Sequence, residues 1–223
     1  MSKAASKPLP PPLPPETRTV GQLVAETLKL YGNHFWVGLA IGIGPALTGV
    51  LNAELDDRLR VFVVPTIGSL LWGVAYALAS AVATGRRATR SSVLLAALVL
   101  LPFLLQRTFV LPGFDLPVLA IFALTGLAVP AAIAERHGLA ASIRRGVQLA
   151  RADYIHALGS LATLVIVIFL TGLVLFFLLH GLGDSTIRVA AFLALLVLSP
   201  LFLLGAGLLY VDQAARVRSS ATT

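Results

Sequence analysis

The sequence predicts an all-α, polytopic transmembrane helical bundle of about six spans, with two amphipathic helices lying at the cytoplasmic interface. Three observations carry that prediction. Of 223 residues, 57% are hydrophobic and 12% charged, with a mean hydropathy of +0.91, a balance far from that of water-soluble domains. The apolar residues gather into runs near the length that crosses a bilayer, about 17–25 residues each. The basic residues fall in the short stretches between those runs, and mostly in every second one.

Pro8, Pro10, Pro11, Pro12, Pro14 and Pro15 crowd the first stretch, removing backbone donors and favouring extended polyproline chain over a packed core. Residues 1–18 therefore read as a disordered cytoplasmic tail. The first long apolar run begins only at Phe35, too late for a cleaved signal peptide. From Thr19 an amphipathic helix is expected over about 19–34. Val20, Leu23, Val24, Thr27, Leu28, Tyr31 and Phe35 share one face, and Gln22, Glu26, Lys29 and Asn33 lie opposite. Thr19 followed by Gln22 fits a capping box. Such a helix lies along the membrane surface.

The spans follow at about 35–51, 61–83, 91–105, 116–133, 155–179 and 189–209. The third is short. Pro102, Pro112 and Pro117 leave open a broken or re-entrant segment in its place. A second amphipathic helix is expected over 139–154, with Leu139, Ile143, Val147, Ala150 and Tyr154 on one face and Arg144, Arg145, Gln148 and Arg151 on the other. The apolar faces of the two surface helices repeat at an offset of 119 residues, from Val20 to Leu139. That pattern fits an internal duplication of a surface helix followed by a hairpin of spans. It also fits two unrelated helices of the same periodicity. The whole of 19–211 forms one membrane domain, and 212–223 reads as a cytoplasmic tail.

Basic residues orient the bundle. Lys3, Lys7, Arg18, Lys29, Arg86, Arg87, Arg90, Arg136, Arg144, Arg145, Arg151, Arg216 and Arg218 fall on one side of the six spans, against Arg58, Arg60, Arg107 and Arg188 on the other. The positive-inside rule then puts both termini in the cytoplasm, and the localisation is the cytoplasmic membrane. Topology thus accounts for the net charge of +7 and the pI near 10.6 with no nucleic-acid partner. The chain has no Cys, which excludes disulfides, thiolate metal ligands and thiol catalysis. The abundance of Arg, Ala and Leu points to a bacterial source.

Residues 20–31 (VGQLVAETLKLY) with Asn33, His34 and Phe35, the turn Leu111, Pro112 and Gly113, and the set Val129, Pro130, Glu135, Arg136, Ser142, Ile143, Arg144, Arg145, Leu149, Ala150 and Arg151 carry a family resemblance. The chain resembles a group of bacterial membrane proteins related to the membrane domain fused to some glycerophosphodiester phosphodiesterases. The resemblance extends over most of 18–210, and it departs at Asp115 and Pro117, where an uninterrupted apolar run belongs. It implies a membrane fold and no activity, since the phosphodiesterase chemistry of the fused members resides in a separate soluble domain.

No Asp, Glu, Lys or Arg lies inside the six runs, whereas transport pathways tend to carry ionisable groups there. The polar groups of the spans are hydroxyls, among them Thr48, Thr66, Ser69, Ser80, Thr163, Thr171 and Ser199. His34, His137, His156 and His180 have no metal-ligand spacing, and Glu54, Asp56 and Asp57 read as an acidic turn neutralised by Arg58 and Arg60. No metal or cofactor is expected. Gly38 and Gly42, and Gly73 and Ala77, form small-residue stripes for helix packing. Arg136, Arg144, Arg145 and Arg151 are the candidate contacts to lipid head groups. The expected function is that of a non-enzymatic membrane protein interacting with lipids, anionic ones included, or with a membrane protein partner. The alternative is a small permease or exporter subunit, with a polar path lined by Thr48, Thr66, Ser69 or Thr171. A third reading, a lipid enzyme, requires Glu135, Arg136, Asp153 and His156 to converge.

Overall fold

The computed structural model describes residues 14–109, 115–179 and 183–220. Most of the Pro-rich lead, the Leu111, Pro112 and Gly113 turn and His180 lie outside the described residues. Every described regular element is helical, and five helices are long and apolar enough to cross a membrane: Phe35–Glu54, Asp57–Thr84, Asp115–Glu135, Tyr154–Leu179 and Ser185–Ser220. Arg90–Gln106 is a shorter apolar helix.

After a single 3₁₀ turn, Pro15–Thr17, helix α1 (Val20–Asn33) opens with a full capping box. The Gln22 side chain accepts from the Thr19 amide at 2.7 Å, and the Gln22 amide donates back to the Thr19 hydroxyl at 3.4 Å. Leu23, Thr27 and Tyr31 are buried, while Leu28 stays 50% exposed. The buried residues run as a stripe along one side of the apolar face, Val20 and Val24 are half-buried, and Leu28 and Phe35 on the other side are exposed. His34 turns the chain sharply into α2 (Phe35–Glu54), which continues as a helix through Pro45.

The second rod begins at α3 (Asp57–Val63), passes through one π-helical turn, Val64–Gly68, and continues as α4 (Ser69–Thr84). Pro65 within that turn has no N–H to donate, and a local widening of the helix absorbs the loss. Helix α5 (Arg90–Phe109) runs unbroken through Pro102 and packs closely on α4. The span expected over 116–133 lies within Asp115–Glu135 and is built of two helical pieces. It breaks into α6 (Asp115–Thr125) and α7 (Ala128–Glu135). The cause is Pro130, which cannot donate to the Gly126 carbonyl one turn earlier. That oxygen accepts instead from the Val129 amide at 3.2 Å and the Tyr76 hydroxyl at 2.9 Å.

Helix α8 (Leu139–Ala152) is followed, after the single residue Asp153, by α9 (Tyr154–Leu179). The start of α8, its end and the start of α9 repeat those of α1 and α2 at the 119-residue offset, Val20 to Leu139, Asn33 to Ala152 and Phe35 to Tyr154. The buried Leu23, Thr27 and Tyr31 of α1 answer to the buried Ser142, Gly146 and Ala150 of α8 at the same offset. The buried stripe of α8, Ser142, Gly146, Leu149 and Ala150, is rotated from the expected face, and Leu139 is exposed. Gly146 explains the rotation. It seats α8 on the Leu127–Ala128 backbone, an approach that a side chain would block.

Helix α10 (Asp184–Ser220) is the spine, packed against α1, α2, α4, α8 and α9. It carries on past the end of the last apolar run at 209, and Asp212 and Gln213 in its final turns are fully buried.

Candidate functional site at the charged end of the bundle

Two polar clusters form where α10 leaves its apolar stretch. In the first, Arg18 donates to Asp212 at 2.8 Å, and Arg216 one turn on donates to Asp153 at 2.9 Å. Arg216 also donates to the Arg18 carbonyl at 2.7 Å and lies 3.3 Å from His156 Nε2. Asp153 occupies the α8–α9 corner because its carboxylate accepts from the His156 amide at 3.2 Å, capping α9. Gln213 reaches the Asp153 carbonyl at 3.3 Å. One network therefore ties the residue before α1, the α8–α9 corner and the end of α10 together.

The second cluster centres on Glu135, the last residue of α7. One carboxylate oxygen accepts from Arg145 Nε at 3.0 Å and from the Tyr210 hydroxyl at 3.0 Å, and the other lies 3.2 Å from His137 Nε2. A left-handed Arg136, φ 53°, ends α7 and turns the chain toward α8. Glu135, Asp153 and His156 thus come to one end of the bundle, but in two separate clusters, and Arg136 is exposed and joins neither.

The four candidate lipid-contact arginines divide. Arg145 is engaged by Glu135. Arg136, Arg144 and Arg151 are exposed and form no ion pair among the described residues. Arg144, Gln148 and Arg151 follow one another at helical spacing on the outer face of α8.

Comparison with known proteins returns no matching family model, no matching curated protein and no matching solved structure.

The packing residues sit inside the chain's own bundle. A side chain at Gly42 would strike the Leu196 carbonyl of α10, and one at Gly38 the Tyr31 ring. Gly73 faces the Val93 carbonyl and the Ala97 amide of α5, and Ala77 is fully buried. Four span hydroxyls bond to their own helices, Thr48 to the Gly44 carbonyl, Thr66 to Phe62, Ser69 to Thr66 and Thr171 to Val167, whereas Ser80 is fully buried with its hydroxyl oxygen unpartnered. At the opposite end, Glu54 pairs with Arg188 at 3.0 Å, Asp56 caps α3 and Asp57 pairs with Arg60. Among the described residues no three His, Cys, Asp or Glu side chains gather as metal ligands.

Sequence reasoning did not single out Tyr210, Asp212, Gln213 or Arg18 as parts of a site. The available signal was Asp212 and Arg216 at i, i+4 just past an apolar run, a spacing that brings both to one helix face.

Proposed function

We propose that this chain is a non-enzymatic, six-span protein of the cytoplasmic membrane, and that the outer face of α8 engages anionic lipid head groups. The observation that carries the lipid reading is the division among the arginines of α8: Arg145 is taken up by Glu135, whereas Arg144 and Arg151 face outward in one stripe with no ion pair among the described residues. Near an anionic leaflet each such residue contributes about 1 kcal/mol of attraction.

An even number of crossings between Arg18 and Asp212 draws support from their contact, and the shorter apolar helix α5 beside the five long ones brings the count to six. The basic count supplies the side. Reporters inserted near Ala88 and Gly138 or fused after Thr223 are then expected in the cytoplasm, and those near Leu55 and Gly183 outside. A permease would need polar groups free to line a path, and Thr48, Thr66, Ser69 and Thr171 instead bond to their own helix backbones. Glu135 and Asp153, the carboxylates a lipid enzyme would use, are each held by an arginine.

The deciding experiment replaces Arg136, Arg144 and Arg151 with Gln and measures the lipid that co-purifies in native-membrane nanodiscs. Retained phosphatidylglycerol is expected to fall and to lose its salt sensitivity. Wild-type retention by the triple variant overturns the reading.

A further inference from the structure

The two most exposed large apolar side chains among the described residues are Trp36, at 79%, and Ile155, at 85%. They stand at the same 119-residue offset that relates α1 and α2 to α8 and α9. Each is the second residue of its long helix, just past a corner made of one residue, His34 or Asp153. We infer that the two corners are matched membrane anchors: Trp36 and Ile155 insert at the boundary between glycerol and acyl chains, in the leaflet on the charged side of the bundle, and together set its depth.

Both corners are built alike. Phe35 packs edge-on against Tyr31 with ring centroids 5.8 Å apart, and the Tyr31 ring sits over Gly38, where a side chain would strike it. The Trp36 ring in turn meets Phe35 edge-on at 5.5 Å. At the second corner the equivalent of Phe35 is Tyr154, half-buried, whose hydroxyl donates to the Ala120 carbonyl of α6 at 3.2 Å. With 3.6 residues to a helical turn, successive side chains diverge by about 100°. An aromatic fastened to the bundle therefore turns the next residue outward, in both corners.

Exposed apolar surface of this size marks a contact, and what lies on either side of each corner selects the occupant. From Trp36 an exposed stripe continues down α2 through Ala40, Ile43, Leu47 and Val50. From Ile155 the corresponding spacing leads down α9 to the exposed Ile166 and Phe169. On the other side stand polar groups, the exposed Asn33 and His34 and the half-exposed Asp153. Each protruding residue thus sits where a lipid-facing stripe meets the polar end. An indole, apolar in its ring and carrying one N–H, suits that boundary. Ile155 has no polar atom and gains only by leaving water. Helices α2 and α9 both pack on α10, so two anchors at one depth brace the bundle against tilting.

The inference rests on the membrane reading but not on the arginines of α8. The chain holds two tryptophans, and Trp72 is buried. Full-length protein is placed in vesicles of phosphatidylcholine and phosphatidylglycerol whose acyl chains carry bromine near the head group, midway or near the methyl end. Subtracting the emission of Trp36→Phe from that of wild type isolates Trp36 without altering Trp72. Quenching of Trp36 is expected to be severalfold stronger from bromine near the head group than from bromine near the methyl end. Ile155→Trp in the Trp36→Phe protein is expected to give the same profile. Ile166→Trp in that protein is the depth reference: it lies about 16 Å farther along α9 at 1.5 Å per residue, near the middle of a hydrocarbon core about 30 Å thick, and should be quenched best from the methyl end. A Trp36 profile that is strongest from the methyl end, or absent at every depth, overturns the anchors, and so does a different depth for Ile155→Trp. Protection of Trp36 from both lipid bromine and aqueous iodide assigns the corner to protein contacts and likewise overturns them. A shallow Ile166→Trp overturns the membrane reading itself, whereas a deep Ile166→Trp beside a water-exposed Trp36 overturns the anchors alone.

Discussion

The Tyr76 hydroxyl donates to the Gly126 carbonyl over 2.9 Å, bridging α4 to the joint between α6 and α7. Pro130 creates the need for that bond by removing the N–H that would have served this carbonyl within the helix. Tyr76 is fully buried, its ring packed 5.6 Å from Phe122. Tyr76→Phe is expected to lower stability by about 0.5–2 kcal/mol, the range for hydrogen bonds between membrane helices. Pro130→Ala in the Tyr76→Phe background returns an internal donor and should recover part of the loss. Unfolding curves of the four proteins form a double-mutant cycle, and strict additivity would show that the two residues do not share the carbonyl.

The apolar run over 116–133 and the position of Pro130 were both legible in the sequence, but their consequence was not, because the residue that satisfies Gly126 lies on another helix. Periodicity likewise found helices at Val20–Asn33 and Leu139–Ala152, since apolar spacing is a local signal, and the Thr19 cap marked the start of the first. It missed the face that α8 buries. Ser142 and Gly146 pack by being small, and a hydropathy pattern weights them as nothing. The charged network was hidden for a related reason: Arg18 and Asp212 lie at opposite ends of the chain, and only the closed bundle joins them.

Close backbone approach makes its own prediction. Gly42 lies against the Leu196 carbonyl, which Pro200 leaves without its usual helical donor. Gly42→Ala is expected to force α2 and α10 apart at a cost of about 1–3 kcal/mol. Gly159→Ala in α9, where nothing lies within 4 Å of an added methyl group, should be neutral or slightly stabilising through helix propensity. Equal effects of the two substitutions in a thermal or denaturant assay would remove the α2–α10 contact as the cause.

Arg18 holds a carboxylate that has no exposure to solvent, since Asp212 is 0% exposed. Arg18→Met leaves that charge buried without its hydrogen-bonded partner, and breaking a buried pair in this way costs about 3–5 kcal/mol. Asp212→Asn in the same chain removes the stranded charge and should restore a large part of the stability. The measurement is the unfolding midpoint of both variants at neutral pH. If Arg18→Met matches wild type, the contact does not hold the segment before α1 to the end of α10.

Arg144 and Arg145 are neighbours in sequence with opposite tasks, and a pair of single substitutions separates them. Arg145 shares the Glu135 carboxylate with Tyr210, so it links α8 to α7 while the same oxygen links α7 to α10. Arg145→Gln loses a charged hydrogen bond at a partly buried site and is expected to cost about 1.5–3 kcal/mol. Arg144 is exposed and makes no ion pair among the described residues, so Arg144→Gln should change stability by no more than about 0.5 kcal/mol. Lipid binding should show the reverse order. Retained phosphatidylglycerol should fall for Arg144→Gln and hold for Arg145→Gln in whatever fraction stays folded, because the Arg145 side chain is directed to Glu135. Tyr210→Phe serves as a control, since it removes the other donor to the same Glu135 oxygen without altering any charge; it should destabilise without changing lipid retention. Equal loss of lipid from all three variants would mean that retention follows the general integrity of the bundle, and the division of labour between the two arginines would be wrong.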